Sequence, residues 1–211
     1  MGLGTASLEE LRELVGDCHR CTLGDTRSTL VFGVGDPHAR VMFVGEAPGR
    51  NEDLQGEPFV GAAGKFLDEL LGEAGLRRDE VYIANVLKCR PPGNRDPLPE
   101  EIETCTPFLR EQIRLISPRV LVTLGNFATK FVLKTDTGIT RLHGSPQRAG
   151  RFVVLPSFHP AAALYDRTKQ DALREDFRKL GTLLESLAAE DTGPAATAQL
   201  ESPAAEQGKL F

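Results

Sequence analysis

The chain contains four short, mainly apolar runs that lack the alternation of a half-exposed strand. Such runs are typical of strands buried on both faces of a parallel sheet. The four runs span residues 41–44, 81–86, 120–124 and 152–155. Apolar residues recur at helical spacing in residues 62–74, 99–116, 126–133 and 169–188. This alternation predicts an α/β fold: a single three-layer domain with a central, mainly parallel four-stranded sheet flanked by helices.

The ends of these elements carry further signals. Ser7 and Glu10 form the pattern of a capping box, which predicts a helix that ends at Gly16. Pro107 lies within the helical pattern of residues 99–116 and predicts a kink or a division into two helices. Residues 30–35 predict a short first strand, and residues 141–152 predict irregular structure or a hairpin.

A long loop, punctuated by glycine and proline, follows the first buried strand. It contains the carboxylates Glu46, Glu52 and Asp53 and the aromatic Phe59. Parallel sheets bind ligands at this position, outside the carboxyl ends of their strands. The loop matches neither the G-x-G-x-x-G dinucleotide fingerprint nor a P-loop. Solvated surface carboxylates remain the alternative interpretation of the loop taken alone.

Two later strands also lead into polar side chains. Asn85 lies at the end of the second run, and His159 follows the fourth run. The carboxyl ends of parallel strands meet at one edge of a sheet. We therefore expect Glu46, Asn85 and His159 to share one rim.

Charge and composition divide the chain into a domain and a tail. The net charge is −5, of which the segment from residue 189 contributes −3, so the body is nearly neutral. Overall charge therefore decides little about nucleic-acid binding. Residues 1–188 are expected to form the domain, and residues 189–211 a flexible tail poor in large apolar residues. With no long apolar run, we expect a cytoplasmic monomer without a membrane segment.

Four cysteines form the second candidate site. Cys18 and Cys21 make a C-x-x-C, and Cys89 and Cys105 follow with fifteen residues between them. Disulfides are disfavoured in an intracellular chain, and a redox pair would leave two cysteines unexplained. Tetrahedral zinc, an iron–sulfur cluster and separate core thiols remain open. The wide spacing of the second pair and the helical position of Cys105 favour the cluster over zinc.

The order of these motifs resembles that of family 4 uracil-DNA glycosylases. The resemblance rests on Gly-Glu-Ala-Pro-Gly-Arg-Asn-Glu-Asp at 45–53, Pro-Phe-Val-Gly at 58–61, Asn85 before Lys-Cys-Arg-Pro-Pro at 88–92, and Phe-His-Pro at 158–160. It covers roughly residues 8 to 187, and the cysteines match the family's ligand spacing. The resemblance implies a 4Fe-4S cluster and excision of uracil from DNA, which leaves an abasic site and initiates base excision repair.

The same resemblance implies roles for the site residues. His159 would donate to uracil O2 as negative charge develops there. Phe59 would stack on the flipped base, and the amide of Asn85 would distinguish uracil from cytosine. The backbone at Ala47 would contact the pyrimidine.

The sequence departs from related families at three points. Ala47 replaces an aspartate found in some relatives, so Glu46, Glu52 or Asp53 must hold the water, with Glu52 slightly preferred over Glu46. Gly49 stands where related families exclude thymine with a tyrosine. Residues 161–163 are all alanine, which leaves Leu164 as the expected DNA wedge. Arg167 and Lys169 are expected to contact phosphates.

Two other functions compete with this interpretation. Some relatives trap uracil-DNA covalently through a histidine in a basic loop after the second strand, and residues 88–99 contain no histidine. A non-enzymatic, metal-containing DNA-binding module would not require Phe59, Asn85 and His159 on one rim. Both alternatives are therefore less favoured than a uracil-DNA glycosylase.

The end of the tail suggests a protein partner. Residues 207–211 have the pattern Gln-x-x-Leu-Phe, from Gln207 to Phe211. This pattern resembles the short motif by which repair proteins dock on the bacterial sliding clamp. Such docking would place the enzyme at the nucleoid and raise its effective concentration on DNA.

Overall fold

A computed structural model describes residues 3–192 of the chain, so the predicted clamp motif at Gln207 to Phe211 lies outside the described residues. The strands are β1 (Val34–Gly35), β2 (Val41–Gly45), β3 (Tyr82–Asn85), β4 (Val120–Leu124), β5 (Gln147–Ala149) and β6 (Phe152–Ser157). The α-helices are α1 (Leu8–Val15), α2 (Leu23–Thr26), α3 (Arg50–Gln55), α4 (Ala62–Glu73), α5 (Pro99–Ile116), α6 (Asn126–Leu133), α7 (Ile139–Leu142), α8 (Pro160–Ala163) and α9 (Arg167–Thr192).

These strands form one mixed sheet in the order β1-β3-β2-β4-β6-β5. The four predicted strands are its parallel centre, which confirms the α/β class. The predicted number of strands was wrong, because β1 and β5 add antiparallel edges and make six. Edge strands need only backbone pairing on one side. The short strand expected within residues 30–35 is present as β1, and the hairpin that was one expectation for residues 141–152 is present as β5 paired with β6, but neither was counted in the four-stranded sheet.

The core lies on both faces of the sheet, as expected for a three-layer domain. Successive residues of β2 point to opposite faces. Phe43 belongs to the layer beneath α4 and α9, where it stacks on Phe177 with ring centroids 5.8 Å apart. Met42 and Val44 belong to the layer beneath α5 and α6. Burial on both faces explains why these strands are continuously apolar.

The helices differ from the sequence-based expectation at three places. Helix α3 lies in the loop that was expected to be irregular. Helix α5 runs without a break from Pro99 to Ile116, so Pro107 does not divide it, and the buried side chains on both sides of the proline hold the helix together. Helix α9 extends to Thr192, four residues beyond the expected end of the domain at residue 188.

The capping prediction for the first helix is confirmed, since the Ser7 hydroxyl accepts the Glu10 backbone N–H and Gly16 ends α1. Within residues 3–192, none of the helices combines the length and the apolar character needed to cross a bilayer.

Candidate active site

The ends of the parallel strands enclose a pocket of about 360 Å³. Gly45 pairs with Asn85 in the register of β2 and β3. Strand β6, which lies beyond β4 in the sheet, leads into His159. The pocket is lined by Glu46, Ala47, Pro48, Gly49, Glu52, Phe59, Ala63, Asn85, Pro91, Asn94, Arg95, His159 and Ala161. Of the catalytic and uracil-binding candidates named from the sequence, the structure therefore brings together all but Asp53.

Phe59 is held in an unusual backbone conformation. Its φ of 54° lies in the left-handed region, which a non-glycine residue occupies only when its surroundings impose it. The guanidinium of Arg78 donates to the carbonyls of Pro58 at 2.6 Å and of Phe59 at 3.1 Å. A Cβ on Gly64 would lie 1.8 Å from the Phe59 carbonyl oxygen, so only glycine permits this approach. The ring of Phe59 is consequently fixed in place and buried.

Gly45 allows the aromatic ring and the amide to face each other. A Cβ at this position would lie 2.3 Å from Oδ1 of Asn85 and 3.1 Å from the ring of Phe59. Asn85 is 2% exposed, and its backbone carbonyl accepts from Nζ of Lys88 at 2.8 Å. Among the described residues, its side-chain amide has no hydrogen-bond partner. Both the donor and the acceptor of that amide are therefore available to a ligand in the pocket.

His159 lies against Phe59, with ring centroids 5.4 Å apart and an interplanar angle of 26°. Its Nδ1 accepts the backbone N–H of Ala161 at 3.1 Å. Burial lowers the pKa of His159 to about 4, against a smaller opposing effect of the Glu52 carboxylate. A neutral ring that accepts at Nδ1 must carry its proton on Nε2. The histidine is therefore a neutral Nε2–H donor at physiological pH.

The three loop carboxylates have different surroundings. Oε1 of Glu52 accepts the backbone N–H groups of Val60 at 3.1 Å and Gly61 at 3.3 Å, which fastens the segment that carries Phe59. Glu46 is half-buried at the pocket wall, and its carboxylate has no protein donor among residues 3–192. Burial raises the pKa of Glu46, and the nearby charge of Asp96 adds to the effect.

Asp53 does not face the pocket. It is 4% exposed, and its Oδ1 accepts the backbone N–H groups of Ser28 at 2.9 Å and Thr29 at 3.4 Å. This carboxylate therefore ties the loop to the segment after α2, a structural role that the sequence pattern did not distinguish from a catalytic one.

Several pocket residues were missed by sequence reasoning. Pro91, Asn94 and Arg95 come from the loop after β3, whose prolines and glycine indicated only irregular structure. The guanidinium of Arg95 is bound by Glu101, with N–O distances of 2.6 and 2.9 Å, so the loop is anchored to the start of α5. The signal that was available is the position of this loop after a central parallel strand.

A larger cavity of about 700 Å³ adjoins the pocket and shares Glu46 and His159 with it. Its walls include Lys130, Lys134 and the half-buried Phe127. Phe127 lies parallel to Phe131, with ring centroids 6.2 Å apart. The walls of the cavity also carry the carboxylates of Glu46, Asp96 and Asp136, so it has no excess of positive charge, and its aromatic rings are the feature suited to the bases of a nucleic-acid strand.

The expected wedge and phosphate contacts lie on the turn and helix after His159. Leu164 is half-buried and packs against the core layer under α9. Arg167 is exposed at the start of α9. Nζ of Lys169 is 2.9 Å from the carboxylate of Asp166.

The four cysteines share one apolar cluster with residues of α1, α2 and α5. The backbone N–H of Lys88 donates to Sγ of Cys105 at 3.3 Å, and the guanidinium of Arg27 donates to Sγ of Cys89 at 3.5 Å. Burial raises the pKa of Cys89 to about 12 and of Cys105 to about 11.

Donors and a cation beside sulfur fit thiolates that carry negative charge on an iron–sulfur cluster. Within residues 3–192, no group of three or more His, Cys, Asp or Glu side chains is arranged to hold a single metal ion. Each cysteine of a four-iron cluster binds a different iron, so a cluster does not require that arrangement. The residues present therefore fit a cluster.

Comparison of the sequence with known proteins identifies a family. The family model described as the uracil DNA glycosylase superfamily matches residues 32–181. The chain is 48% identical over 185 residues to a type-4 uracil-DNA glycosylase of Archaeoglobus fulgidus, covering 84% of this chain and 93% of the relative. It is 46% identical over 186 residues to the type-4 enzyme of Sulfurisphaera tokodaii, covering 84% of each protein. A type-4 enzyme of Thermotoga maritima is 46% identical over 168 residues, covering 77% of this chain and 88% of the relative.

Proposed function

The chain belongs to the uracil DNA glycosylase superfamily, and we propose that it excises uracil from DNA by hydrolysing the N-glycosidic bond of a flipped deoxyuridine. The products are free uracil and an abasic site, which initiates base excision repair. The observation that carries the proposal is the convergence of Phe59, Asn85 and His159 in one pocket, which at about 360 Å³ has room for a flipped nucleobase. A base inside a duplex is inaccessible, so the nucleotide must leave the stack to enter this pocket.

Uracil is recognised by stacking and by hydrogen bonding. The fixed ring of Phe59 supplies the stacking surface. The NH₂ of Asn85 donates to uracil O4, and its Oδ1 accepts from N3–H. Cytosine presents the opposite pattern at these positions and would leave buried polar groups unpaired, which disfavours its binding.

His159 stabilises the leaving group. As the glycosidic bond lengthens, the electron pair moves to uracil and the sugar acquires oxocarbenium character. The neutral Nε2–H of His159 donates to O2, where negative charge accumulates. Because Nδ1 is engaged by the Ala161 amide, the donor is oriented before the reaction begins. A preorganised donor of this kind contributes about 3 kcal/mol in other enzymes.

Glu46 is the carboxylate that we assign to the water. Its oxygens have no protein donor in the described part of the chain, and it lines both cavities beside His159. Glu52 was slightly preferred from the sequence, but one of its oxygens is engaged by the backbone of Val60 and Gly61. A carboxylate free to orient water suits attack on the sugar carbon better than one that fastens a loop.

Glu52 has a second task in this proposal, the exclusion of thymine. Its Oε2 lies 2.8 Å from where a Cβ on Gly49 would be. Gly49 is the position at which related families carry a tyrosine that blocks the thymine methyl group. The anchored carboxylate of Glu52 therefore fills the space that the glycine leaves open.

Cys18, Cys21, Cys89 and Cys105 are the proposed ligands of a 4Fe-4S cluster. When bound, the cluster would crosslink three separate segments of the chain and so contribute to folding. The cysteines come from the segment after α1, the loop after β3 and helix α5. Iron analysis and the absorption spectrum of anaerobically purified protein test this proposal: about four irons and a broad band near 400 nm are expected. Colourless protein with one zinc would contradict it.

The activity is tested with oligonucleotides that contain a single uracil, in single-stranded and duplex form. Incubation followed by alkali should cleave the strand at the uracil position, as seen on a denaturing gel. A thymine-containing oligonucleotide of the same sequence is the matched control. Iron-replete protein that leaves the uracil strands intact would rule out the proposed function.

We further propose that residues 207–211 dock on a sliding clamp, which rests on their sequence alone because they lie outside the described residues. Leu210 and Phe211 would enter an apolar pocket, and a flexible tether of the fourteen residues 193–206 would span about 20 Å. Clamp binding by the full chain is compared with binding by a chain truncated after Gln207. Equal affinity for both, or none for either, would refute docking.

A further inference from the structure

A buried carboxylate that the proposed mechanism does not use lies against the strand that leads to His159. Asp176 of α9 is 1% exposed, and the side chains of Leu173, Phe177 and Leu180 around it on the helix are all buried. Burial raises the pKa of Asp176, because the carboxylate loses its hydration there. An apolar side chain would cost less at such a position, so the carboxylate has a role beyond packing.

Two side chains from different elements donate to this carboxylate. The hydroxyl of Ser157, the last residue of β6, donates to Oδ2 of Asp176 at 3.2 Å. Nδ1 of His143, at the end of α7, lies 3.1 Å from Oδ1 and 3.2 Å from Oδ2. A ring nitrogen that faces a carboxylate at this distance carries the proton, so His143 donates from Nδ1.

The same arrangement encloses Phe158, the residue that precedes His159. The rings of His143 and Phe158 have centroids 4.4 Å apart, and Phe158 also packs against the core layer beneath α4 and α9. The backbone N–H of Gly144 donates to the Pro156 carbonyl at 2.9 Å, which joins the end of α7 to β6. The segment that leads into His159 is therefore fixed by contacts with both α7 and α9.

Gly144 permits the close approach of the chain to the carboxylate. A Cβ at this position would lie 2.3 Å from Oδ1 of Asp176, and the φ of +66° lies in the left-handed region. A larger residue would displace either the carboxylate or the neighbouring ring of His143. The backbone is thus shaped to bring the histidine and the aspartate together.

We propose that His143 and Asp176 are positioning residues for His159, which hold its ring in the orientation that directs Nε2–H at uracil O2. This inference rests on the proposed uracil excision, because it concerns the same histidine. Neither side chain of the pair lines the pocket, so the pair acts through Ser157 and Phe158 and not on the substrate. A small misplacement of the donor is costly, because its interaction with developing charge depends on direction.

The first test changes one feature of the pair at a time and measures uracil excision in single turnover. His143→Phe keeps a ring against Phe158 but removes the donor, and Asp176→Asn removes the carboxylate. Each should lower the rate about tenfold. His143→Asn places an amide N–H where the Nδ1–H lies, so its rate should stay within threefold of wild type.

Binding is measured on the same variants with a duplex that contains one 2′-fluorinated deoxyuridine, which resists cleavage because the substituent disfavours an oxocarbenium sugar. The affinity should stay within twofold of wild type in every variant. Uracil O2 gains its charge only as the bond breaks, so a misdirected donor affects the transition state and not binding. A loss of affinity that matches the loss of rate would overturn the positioning role.

The second test determines whether the pair acts through His159. His143→Phe and Asp176→Asn are each combined with His159→Ala, and every rate is compared with those of the single variants. A residue that only positions His159 has no effect once the donor is absent, so neither change should slow the His159→Ala protein more than twofold. A tenfold loss in both backgrounds would overturn the inference. The side chain of His143 is partly exposed, so His143→Phe supplies this result even if Asp176→Asn does not fold.

Glu111→Gln is the matched control for the loss of a buried carboxylate. Glu111 is 2% exposed and accepts from Thr5 and Arg114, neither of which lines the pocket. Glu111→Gln and Asp176→Asn should both lower Tm, because each disrupts hydrogen bonds of a buried group. Only Asp176→Asn should lower the rate at a temperature where all the proteins are folded. Equal rate losses would overturn the positioning role in favour of a general effect of stability.

The outcomes separate this inference from the proposed function. Wild-type protein that leaves uracil strands intact would overturn both. If the wild type is active, rates within threefold of wild type in His143→Phe and Asp176→Asn would overturn the positioning role alone. A tenfold loss in His143→Asn would also overturn it, because the Nδ1 donor would not be the feature that matters.

Discussion

The uracil pocket and the cysteine region, defined by Cys18, Cys21, Cys89 and Cys105, are built in opposite ways. In the pocket, the backbone is constrained while the amide of Asn85 and the carboxylate of Glu46 have no protein partner in the described residues. In the cysteine region, apolar side chains surround the thiols, and nearby donors point at sulfur. Groups left free are available for a substrate, whereas enclosed groups are suited to hold the chain together. Within one domain, the pocket is therefore suited to the chemistry and the cysteine region to stability.

Lys88 connects the two regions. It is 1% exposed, and its Nζ donates to the Asn85 carbonyl at 2.8 Å and to Oε1 of Gln112 at 2.6 Å. Its own backbone N–H donates to Sγ of Cys105. A buried cation with two acceptors is strongly held in place. The loop that carries Cys89 is thus fastened to the strand end that carries the amide of Asn85.

The largest effect on chemistry is expected from His159→Ala. Loss of the O2 donor should lower the single-turnover rate by about 10²- to 10³-fold. The same change removes the cap on Ala161, which costs about 1 kcal/mol, or about 2–4 °C in Tm. His159→Asn is the matched control, because asparagine caps helices well and does not replace the Nε2 donor. It should restore Tm without restoring the rate, and a rate within threefold of wild type in either variant would remove His159 from the mechanism.

Asn85→Asp should have the next largest effect, because it replaces the donor to O4 with a carboxylate oxygen. We expect the rate on uracil to fall about 10²-fold, and the preference for uracil over cytosine to be lost. Competition assays with uracil- and cytosine-containing oligonucleotides measure the preference. Unchanged kinetics on uracil would show that the side chain of Asn85 is only structural.

Cys105→Ser tests the other side of the comparison. Loss of a cluster ligand should reduce bound iron and lower Tm by about 10 °C, in line with the large effects of losing metal sites. The rate per correctly folded molecule should stay within about threefold, since the cysteines do not line the pocket. Active-site titration with uncleavable uracil-DNA gives the number of correctly folded molecules. A soluble, iron-replete variant with impaired chemistry would contradict the structural assignment.

A smaller effect, on substrate choice, is expected from Glu52→Ala. Removing the carboxylate beside Gly49 should raise excision of thymine relative to uracil about tenfold, the usual value of one methyl group in a pocket. Glu52→Gln is the control, because it keeps the volume and one acceptor for Val60 and Gly61. The two variants are compared on duplexes with uracil or thymine opposite guanine. An unchanged ratio in Glu52→Ala would show that another side chain excludes thymine.

The sequence predicted the centre of this fold better than its edges. Strands β2, β3, β4 and β6 are buried on both faces, so burial leaves a continuous apolar run in their sequence. Strands β1 and β5 pair on one side through their backbones, so the sequence indicated a short strand in residues 30–35 and irregular or hairpin structure in residues 141–152 but not that these segments join the sheet. Helix α3 was hidden for a related reason. Of its six residues only Asp53 is buried, so no apolar face marks it.

The sequence predicted which residues line the site, but it did not predict the role of each carboxylate. The rule that ligands bind at carboxyl ends of parallel strands was sufficient to group Glu46, Asn85 and His159. Backbone N–H groups of other segments determine which carboxylates are already hydrogen-bonded. The N–H of Val60 binds Glu52, and the N–H of Ser28 binds Asp53. Such contacts have no signature in residue spacing.

The smallest expected effect concerns the ionisation of His159, which should not appear in the pH dependence of the excision rate near pH 6.5. Burial holds the pKa of His159 near 4, compared with 6.5 for an unperturbed ring. The excision rate should therefore show no ionisation of this group near pH 6.5. Between pH 6.5 and about 4 the unfolded chain binds a proton that the native ring does not. The free energy of unfolding should therefore decrease as the pH falls through this range.

Two-dimensional ¹H–¹⁵N spectra of the histidine rings measure both properties at once. The ring of His159, assigned by its disappearance in His159→Asn, should stay neutral with the proton on Nε2 from pH 5 to 8. His159→Asn should also flatten the pH dependence of unfolding in this range. A His159 that titrates near 6.5 would mean that water reaches the ring freely. The donor would then be charged in part of the physiological range, and the contrast between an oriented neutral donor and the enclosed thiols would no longer hold.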